Sequence, residues 1–192
     1  QEGHNAFETA EQAEQDARKM LEVYASLYRD TLAMYPICGE KTPDERFPGA
    51  VHTYTIEAMM QDTKALQAGT SHNLSTNFAA AFETKFLDKD SKQKHVFQTS
   101  WGVSTRLIGG VVMTHSDDKG LILPPRLAAT HVVIVPIMAK AETKAQVIEA
   151  AEGIGRLVHE PRIGDGRRVH THLVCSREQH LAHVRHSADA AA

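Results

Sequence analysis

The sequence predicts an α+β fold in two parts, and three observations carry that reading. A helical period of apolar residues runs from Ala13 to Leu32, a strand-rich segment begins at Val51, and a strand-then-helix pair follows Thr130. The change of pattern near Ala128 to Thr130 marks the expected boundary between the parts.

The first helix opens on Thr9-Ala10-Glu11-Gln12, a capping box in which the hydroxyl accepts from a free amide at the helix start. Behind it Ala13, Ala17, Met20, Leu21, Tyr24, Leu27, Tyr28 and Leu32 recur at three- and four-residue spacing, and Pro36 ends the run. Pro43, Pro48 and Gly49 predict a loop. His52 to Glu57 is β-branched and aromatic, which predicts a half-buried strand, and Lys64 to Gly69 reads as another strand before a turn at Gly69. Phe78, Phe82 and Phe86 at four-residue spacing predict a short helix over Thr76 to Phe86. A hydrophilic turn then leads into a strand from His95 to Ser100. Val103 to His115 predicts a buried helix whose Gly109-Gly110 pair allows close backbone approach. Leu121 to Leu123 reads as a short strand. His131 to Ile137 reads as a strand buried on both faces of a parallel sheet, and Thr143 to Leu157 as the helix that follows.

Composition excludes several classes. The 192 residues carry 42 % hydrophobic and 23 % charged side chains, as a globular protein does. A net charge of -3 does not describe a compact basic nucleic-acid binder, although a local patch can still hold a large RNA. Cys38 and Cys175 stand far apart, which suits a reducing cytosol and gives no disulfide framework. No apolar run is long enough to span a bilayer, and the first residues are not a signal peptide, so a soluble, cytoplasmic protein is expected. The absence of an initiator Met suggests a chain that starts mid-protein. Of twelve histidines, five fall between His170 and His186; His170 and His172 have the spacing of two ligands on one strand face, but without cysteines or carboxylates at fixed spacing they make only a weak case for zinc, and no metal ligands are assigned.

The polar residues between Lys64 and Arg106 form the candidate site. Thr70 and His72 are two apart, so an extended chain projects them to one face, with Gln67 just before them. Trp101, Ser104 and Arg106 follow another strand. An arginine offers a bidentate fork for phosphate, a glutamine can read an adenine edge, and a tryptophan can close over a small apolar ring. The same residues also fit a plainer reading, with Trp101 in the core and the rest on an ordinary strand surface.

Five longer strings bear on that choice. They are Glu40-Lys41-Thr42 with Glu45-Arg46-Phe47; Thr53-Tyr54-Thr55-Ile56-Glu57-Ala58-Met59-Met60; Lys64 to His72; Thr99-Ser100-Trp101-Gly102-Val103-Ser104-Thr105-Arg106-Leu107-Ile108-Gly109; and Asp117 to Arg126. Together they resemble the catalytic core of prolyl-tRNA synthetase, of the archaeal and eukaryotic type without an inserted editing domain. The resemblance runs from Gln1 to about Ala151.

The resemblance implies a partial class II synthetase domain over residues 1–128, an antiparallel sheet flanked by helices. The first strand and helix of an α/β anticodon-binding domain would occupy 129–160, and 161–192 reads as a divergent, poorly ordered end. The implied function is that of a proline–tRNA ligase, which activates proline with ATP and Mg2+ to prolyl-adenylate and charges tRNA(Pro). By resemblance, Glu2 and His4 line the amino-acid pocket, His72 joins them, and Trp101 is a wall for the pyrrolidine ring. Gln67, Thr70 and Ser104 would contact the nucleotide; Ser104 stands where the family often has Thr. Arg106 resembles the catalytic arginine of the third signature motif. The first motif, which builds the homodimer of the full-length family, and the arginine-bearing strand of the second would lie upstream of Gln1. The alternative implied by that departure is an inactive homologue that retains a proline- or nucleotide-binding remnant.

Overall fold

The computed structural model describes residues 1–137 and 141–159, together with the backbone of 171–173. The chain divides into two compact units, Gln1–Leu127 and the residues from Ala128 onward.

The first unit begins with strand β1 (Glu2–Phe7), whose exposure alternates as a half-covered strand requires. Helix α1 (Ala10–Ser26) starts at the expected capping box: Gln12 N donates to Thr9 Oγ1 and Thr9 N donates to Gln12 Oε1, each at 3.2 Å. Ala13 and Ala17 are buried on its sheet side, where small side chains let the helix lie close. A π-helical turn, Leu27–Thr31, then widens the helix before it stops at Leu32. Strand β2 (Ile37–Glu40) follows, then β3 (His52–Met59) and the long β4 (Ala65–Ser75). Helix α2 (Asn77–Ala81) leads to the hairpin of β5 (Lys85–Leu87) and β6 (Gln93–His95), and β7 (Phe97–Val103) runs into helix α3 (Arg106–His115).

Five strands form one sheet in the order β1-β7-β4-β3-β2, antiparallel at every pairing. Helix α1 lies across β1, β7, β4 and β3. The expected antiparallel sheet flanked by helices is therefore present. Its core joins Tyr24, Tyr28, Leu32 and Met34 to Ile56, Ala58, Met60, Ala68 and Val111. Each such large side chain contributes about 1.5–3 kcal/mol on burial, which is what holds α1 to the sheet.

Several local expectations change. Gly69 makes no turn: β4 runs through it, with a bulge opposite Ile56 and Glu57. A Cβ on Gly69 would sit 2.9 Å from Val103 Cγ1 and 3.0 Å from Ile56 Cγ2, so glycine answers close packing there. Strand β2 was not foreseen, because a four-residue edge strand exposed throughout shows no alternation. The phenylalanine-spaced helix shrinks to α2; Glu83 takes φ 55 and Phe82 is exposed. Helix α3 buries Gly110 and Val111 but exposes Ile108, Val112 and Met113, so it is covered on one side only. Residues 121–123 are irregular rather than a strand.

In the second unit β8 (Val132–Ile134) pairs in parallel with β9 (Thr171–Leu173), and helix α4 (Lys144–His159) fills the expected helical segment. The parallel pairing agrees with the strand-then-helix reading. Burial on both faces does not hold, since Val133 and Ile137 are exposed. Apart from β9, the expectations for 161–192, including the histidine cluster, lie outside the described residues. Among the described residues no helix is long and apolar enough to cross a membrane.

Candidate active site

Antiparallel registration sorts the sheet's side chains into rows, because residues directly opposite one another point to the same side. Ser100 on β7 stands between His4 on β1 and His72 on β4, and His72 stands opposite Thr53 on β3. The next row is Glu2, Gly102, Thr70 and Thr55, and beyond the bulge Gln67 stands opposite Glu57. Five of the predicted residues, Glu2, His4, Gln67, Thr70 and His72, thus share one face.

The residues between them point the other way and identify that other face. Ser71 Oγ donates to Ala17 O at 2.8 Å, and Thr99 Oγ1 to Asp16 Oδ2 at 2.6 Å. Asn5 Nδ2 donates to both Asp16 oxygens at 3.2 Å, and Asn73 Nδ2 to Glu14 Oε2 at 2.9 Å; the Tyr54 hydroxyl also donates to Glu14. All these acceptors belong to α1. The rows of Ser100 and Gly102 therefore face away from α1.

Trp101 falls on the α1 side. It stands opposite Gly3 and Ser71, packs against the core, and meets Tyr24 edge-on with ring centroids 6.5 Å apart. Its indole lies over Gly3 so closely that a Cβ there would be 2.1 Å from Cη2. The expected shared pocket of Trp101 and His72 is not what the sheet builds, since Trp101 stands opposite Ser71 on the α1 side while His72 stands opposite Ser100 on the other. The plainer reading, Trp101 as core, describes its placement.

His72 is half-buried on the open face. Its Nδ1 lies 3.1 Å from Thr53 Oγ1, and the Phe47 ring covers it at 4.7 Å between centroids. Burial, aided by the charge of Lys41, holds the imidazole below its ordinary pKa, so it is neutral at physiological pH. Phe47 in turn meets Phe78 of α2, with ring centroids 6.4 Å apart. Gly102 leaves the middle of the next row bare; a Cβ there would meet Gln1 O at 3.3 Å and Glu2 Cγ at 3.4 Å. At the far end of that row, beyond Thr70, Thr55 Oγ1 is buried without a hydrogen-bond partner.

The cation comes from the start of α3. Arg106 Nη1 donates to Gln67 O at 3.0 Å, which ties the guanidinium to the end of the platform while leaving most of its donors available. Arg106 N donates to Ser104 Oγ at 3.2 Å, so Ser104 steadies the first turn of α3. Glu2 and His4 sit on the open side of edge strand β1, with 82 % and 69 % of their side chains exposed. Among the described residues no three His, Cys, Asp or Glu groups converge to hold a metal ion. Sequence reasoning missed Thr53, Thr55, Ser100 and Phe47. Thr53 and Thr55 were within reach, because their two-residue spacing matches that of Thr70 and His72.

Residues 1–115 match the tRNA synthetase class II core domain (G, H, P, S and T). The chain is 54 % identical over 170 residues to a proline–tRNA ligase of Bdellovibrio bacteriovorus, an alignment covering 88 % of this chain and 34 % of the relative. It is 58 % identical over 154 residues to a proline–tRNA ligase of Porphyromonas gingivalis, covering 80 % and 31 %. A crystal structure of prolyl-tRNA synthetase from Cryptosporidium parvum complexed with L-proline and AMP superposes with a TM-score of 0.77 at 36 % identity, over 90 % of this chain and 36 % of that one. The chain thus spans about a third of the length of the relatives it matches. With the family match over more than half of its residues, and an antiparallel sheet that superposes on a solved example, the chain belongs to the class II tRNA synthetase core family, among the prolyl-tRNA synthetases.

Proposed function

We propose that the face away from α1 is part of the active site of a proline–tRNA ligase. The reaction joins a proline carboxylate oxygen to the α-phosphorus of ATP, expels pyrophosphate, and then passes the prolyl group from AMP to a terminal hydroxyl of tRNA(Pro). The observation that carries this reading is the two-row platform of Glu2, His4, Ser100, His72, Thr70 and Thr55, with Arg106 anchored at its end through Gln67. In-line displacement needs no covalent enzyme intermediate, so positioned donors and a cation are the groups such a site requires.

In this reading Glu2 and His4 receive the charged amine end of proline, and His72 presents a neutral donor beside them. Thr70 meets adenylate oxygens, Gln67 meets the nucleotide, and the free guanidinium donors of Arg106 take phosphate. Ser104 acts through Arg106 rather than alone. Trp101 supports the platform from behind. Mg2+ would be held chiefly by nucleotide phosphates, with the Glu57 carboxylate and Gln67 amide oxygen, which stand opposite one another, as candidate platform donors. A Mg2+ ion held there would supply charge neutralisation for the pyrophosphate leaving group.

Two measurements on these 192 residues test the reading. Calorimetry with proline and AMP should detect binding, and proline-dependent exchange of labelled pyrophosphate into ATP reports catalysis. The chain's span of a third of its relatives favours binding without turnover. Exchange above background would overturn that restriction, and loss of all binding would overturn the site itself.

A further inference from the structure

We propose that Thr53 is a positioning residue that fixes His72 as the neutral tautomer with its proton on Nε2. The argument starts from one buried hydroxyl. Phe47 N donates to Thr53 Oγ1 at 3.0 Å, and His72 Nδ1 lies 3.1 Å from the same oxygen. Thr53 is 1 % exposed, so water does not reach its hydroxyl proton. Nδ1 is also the one acceptor within hydrogen-bond distance of that hydroxyl among the described residues.

If Nδ1 carried the proton, Oγ1 would accept from both neighbours and its own hydrogen would be buried without a partner. Buried donors are satisfied in nearly all native structures, because leaving one unmade forfeits its hydration with no return. The arrangement that satisfies all three groups is a chain: Phe47 N–H donates to Oγ1, and Oγ1–H donates to Nδ1. Nε2 must then carry the imidazole proton. The imidazolium form is disfavoured on the same ground, since it needs a hydrogen on Nδ1. The lowered pKa of His72, caused by burial and the charge of Lys41, agrees with a neutral ring.

Two further contacts hold the surroundings of this pair. Phe47 covers it at 4.7 Å, and Lys41 N donates to Thr53 O at 2.9 Å, which ties Thr53 to the preceding loop. The loop through Phe47 therefore sets which nitrogen of His72 donates. A neutral Nε2–H offers a ligand oxygen a hydrogen bond without adding charge, which leaves Arg106 as the cation for phosphate. That last consequence rests on the proline–adenylate reading; the tautomer does not.

The test is 15N-detected NMR of the histidine rings in the full chain at neutral pH, with His72 assigned by difference against His72→Gln. The expected wild-type spectrum shows an unprotonated Nδ1 and a protonated Nε2. Thr53→Val should give mixed tautomers and about tenfold weaker binding of a non-hydrolysable prolyl-adenylate analogue, and Thr53→Ser should restore both. A protonated Nδ1 in the wild type, or an unchanged tautomer in Thr53→Val, overturns the proposal. Should Thr53→Val fail to fold, the wild-type and Thr53→Ser spectra decide alone. The expected tautomer with no analogue binding in the wild type supports the role of Thr53 and overturns the ligand reading.

Discussion

Gly3 and Trp101 show how one residue's absence of a side chain places another's. The indole occupies the space where a Cβ on Gly3 would lie, and the atom it would strike belongs to a ring wedged against Tyr24. Gly3→Ala should therefore destabilise the first unit by about 1–3 kcal/mol, read as a lower urea midpoint with unchanged slope. Arg106 is the opposite case, an exposed side chain with one backbone partner. Arg106→Ala should leave the urea midpoint within about 0.5 kcal/mol of wild type while weakening AMP binding roughly tenfold or more, by calorimetry. His72 adds a pH signature. Its folded pKa lies below the usual 6.5, so on acidification the unfolded chain takes the proton first. Stability present above pH 6.5 is lost as pH falls below it, until the folded pKa is passed. His72→Gln should flatten that part of the pH–stability curve. The sequence placed His72 and Thr70 together because a period of two is all that claim needs. It could not place Trp101, because the side it takes depends on which neighbour stands opposite Ser100, and pairing is a property of the folded sheet.

Between elements, the decisive contact is α1 against the sheet, and much of it is polar. Asp16 receives Asn5 of β1 and Thr99 of β7, while Glu14 receives Asn73 of β4 and Tyr54 of β3. One helical turn thus clasps four strands. Asp16→Ala would leave Asn5 and Thr99 without their acceptor beneath the helix, and should cost about 1–3 kcal/mol by urea unfolding. Burial pushes the Glu14 carboxyl up, but hydrogen bonds from Tyr54, Asn73 and Arg18, with the charge of His52, bring it below the usual 4.5. Its contribution is present above pH 4.5 and fades as pH falls further, a window distinct from that of His72. The start of α1 was legible from Thr9 and Gln12, since capping is local chemistry. The clasp was not: Glu14 and Asp16 look like solvent-facing charges until the sheet brings amides and hydroxyls beneath them.

At the scale of the molecule, the residues to Leu127 form a unit with its own core and platform. Residues 1–127 expressed alone should unfold in a single transition within a few degrees of the same transition in the full chain; multiphasic melting would refute that independence. A change of pattern near Ala128 to Thr130 is visible in the sequence, and the chain divides into compact units at Leu127. The position of Gly69 inside a continuous strand is not visible there, because a glycine demanded by close packing reads the same as one demanded by a turn. The clasp of α1 also carries a kinetic consequence. Since one helix bonds β1, β7, β4 and β3 from behind, the rows on the face away from it cannot open strand by strand without releasing it. Amide hydrogens of β4 and β7 should exchange with deuterium only through complete unfolding of the unit, as slowly as those of the core, although one side of their sheet is open to solvent.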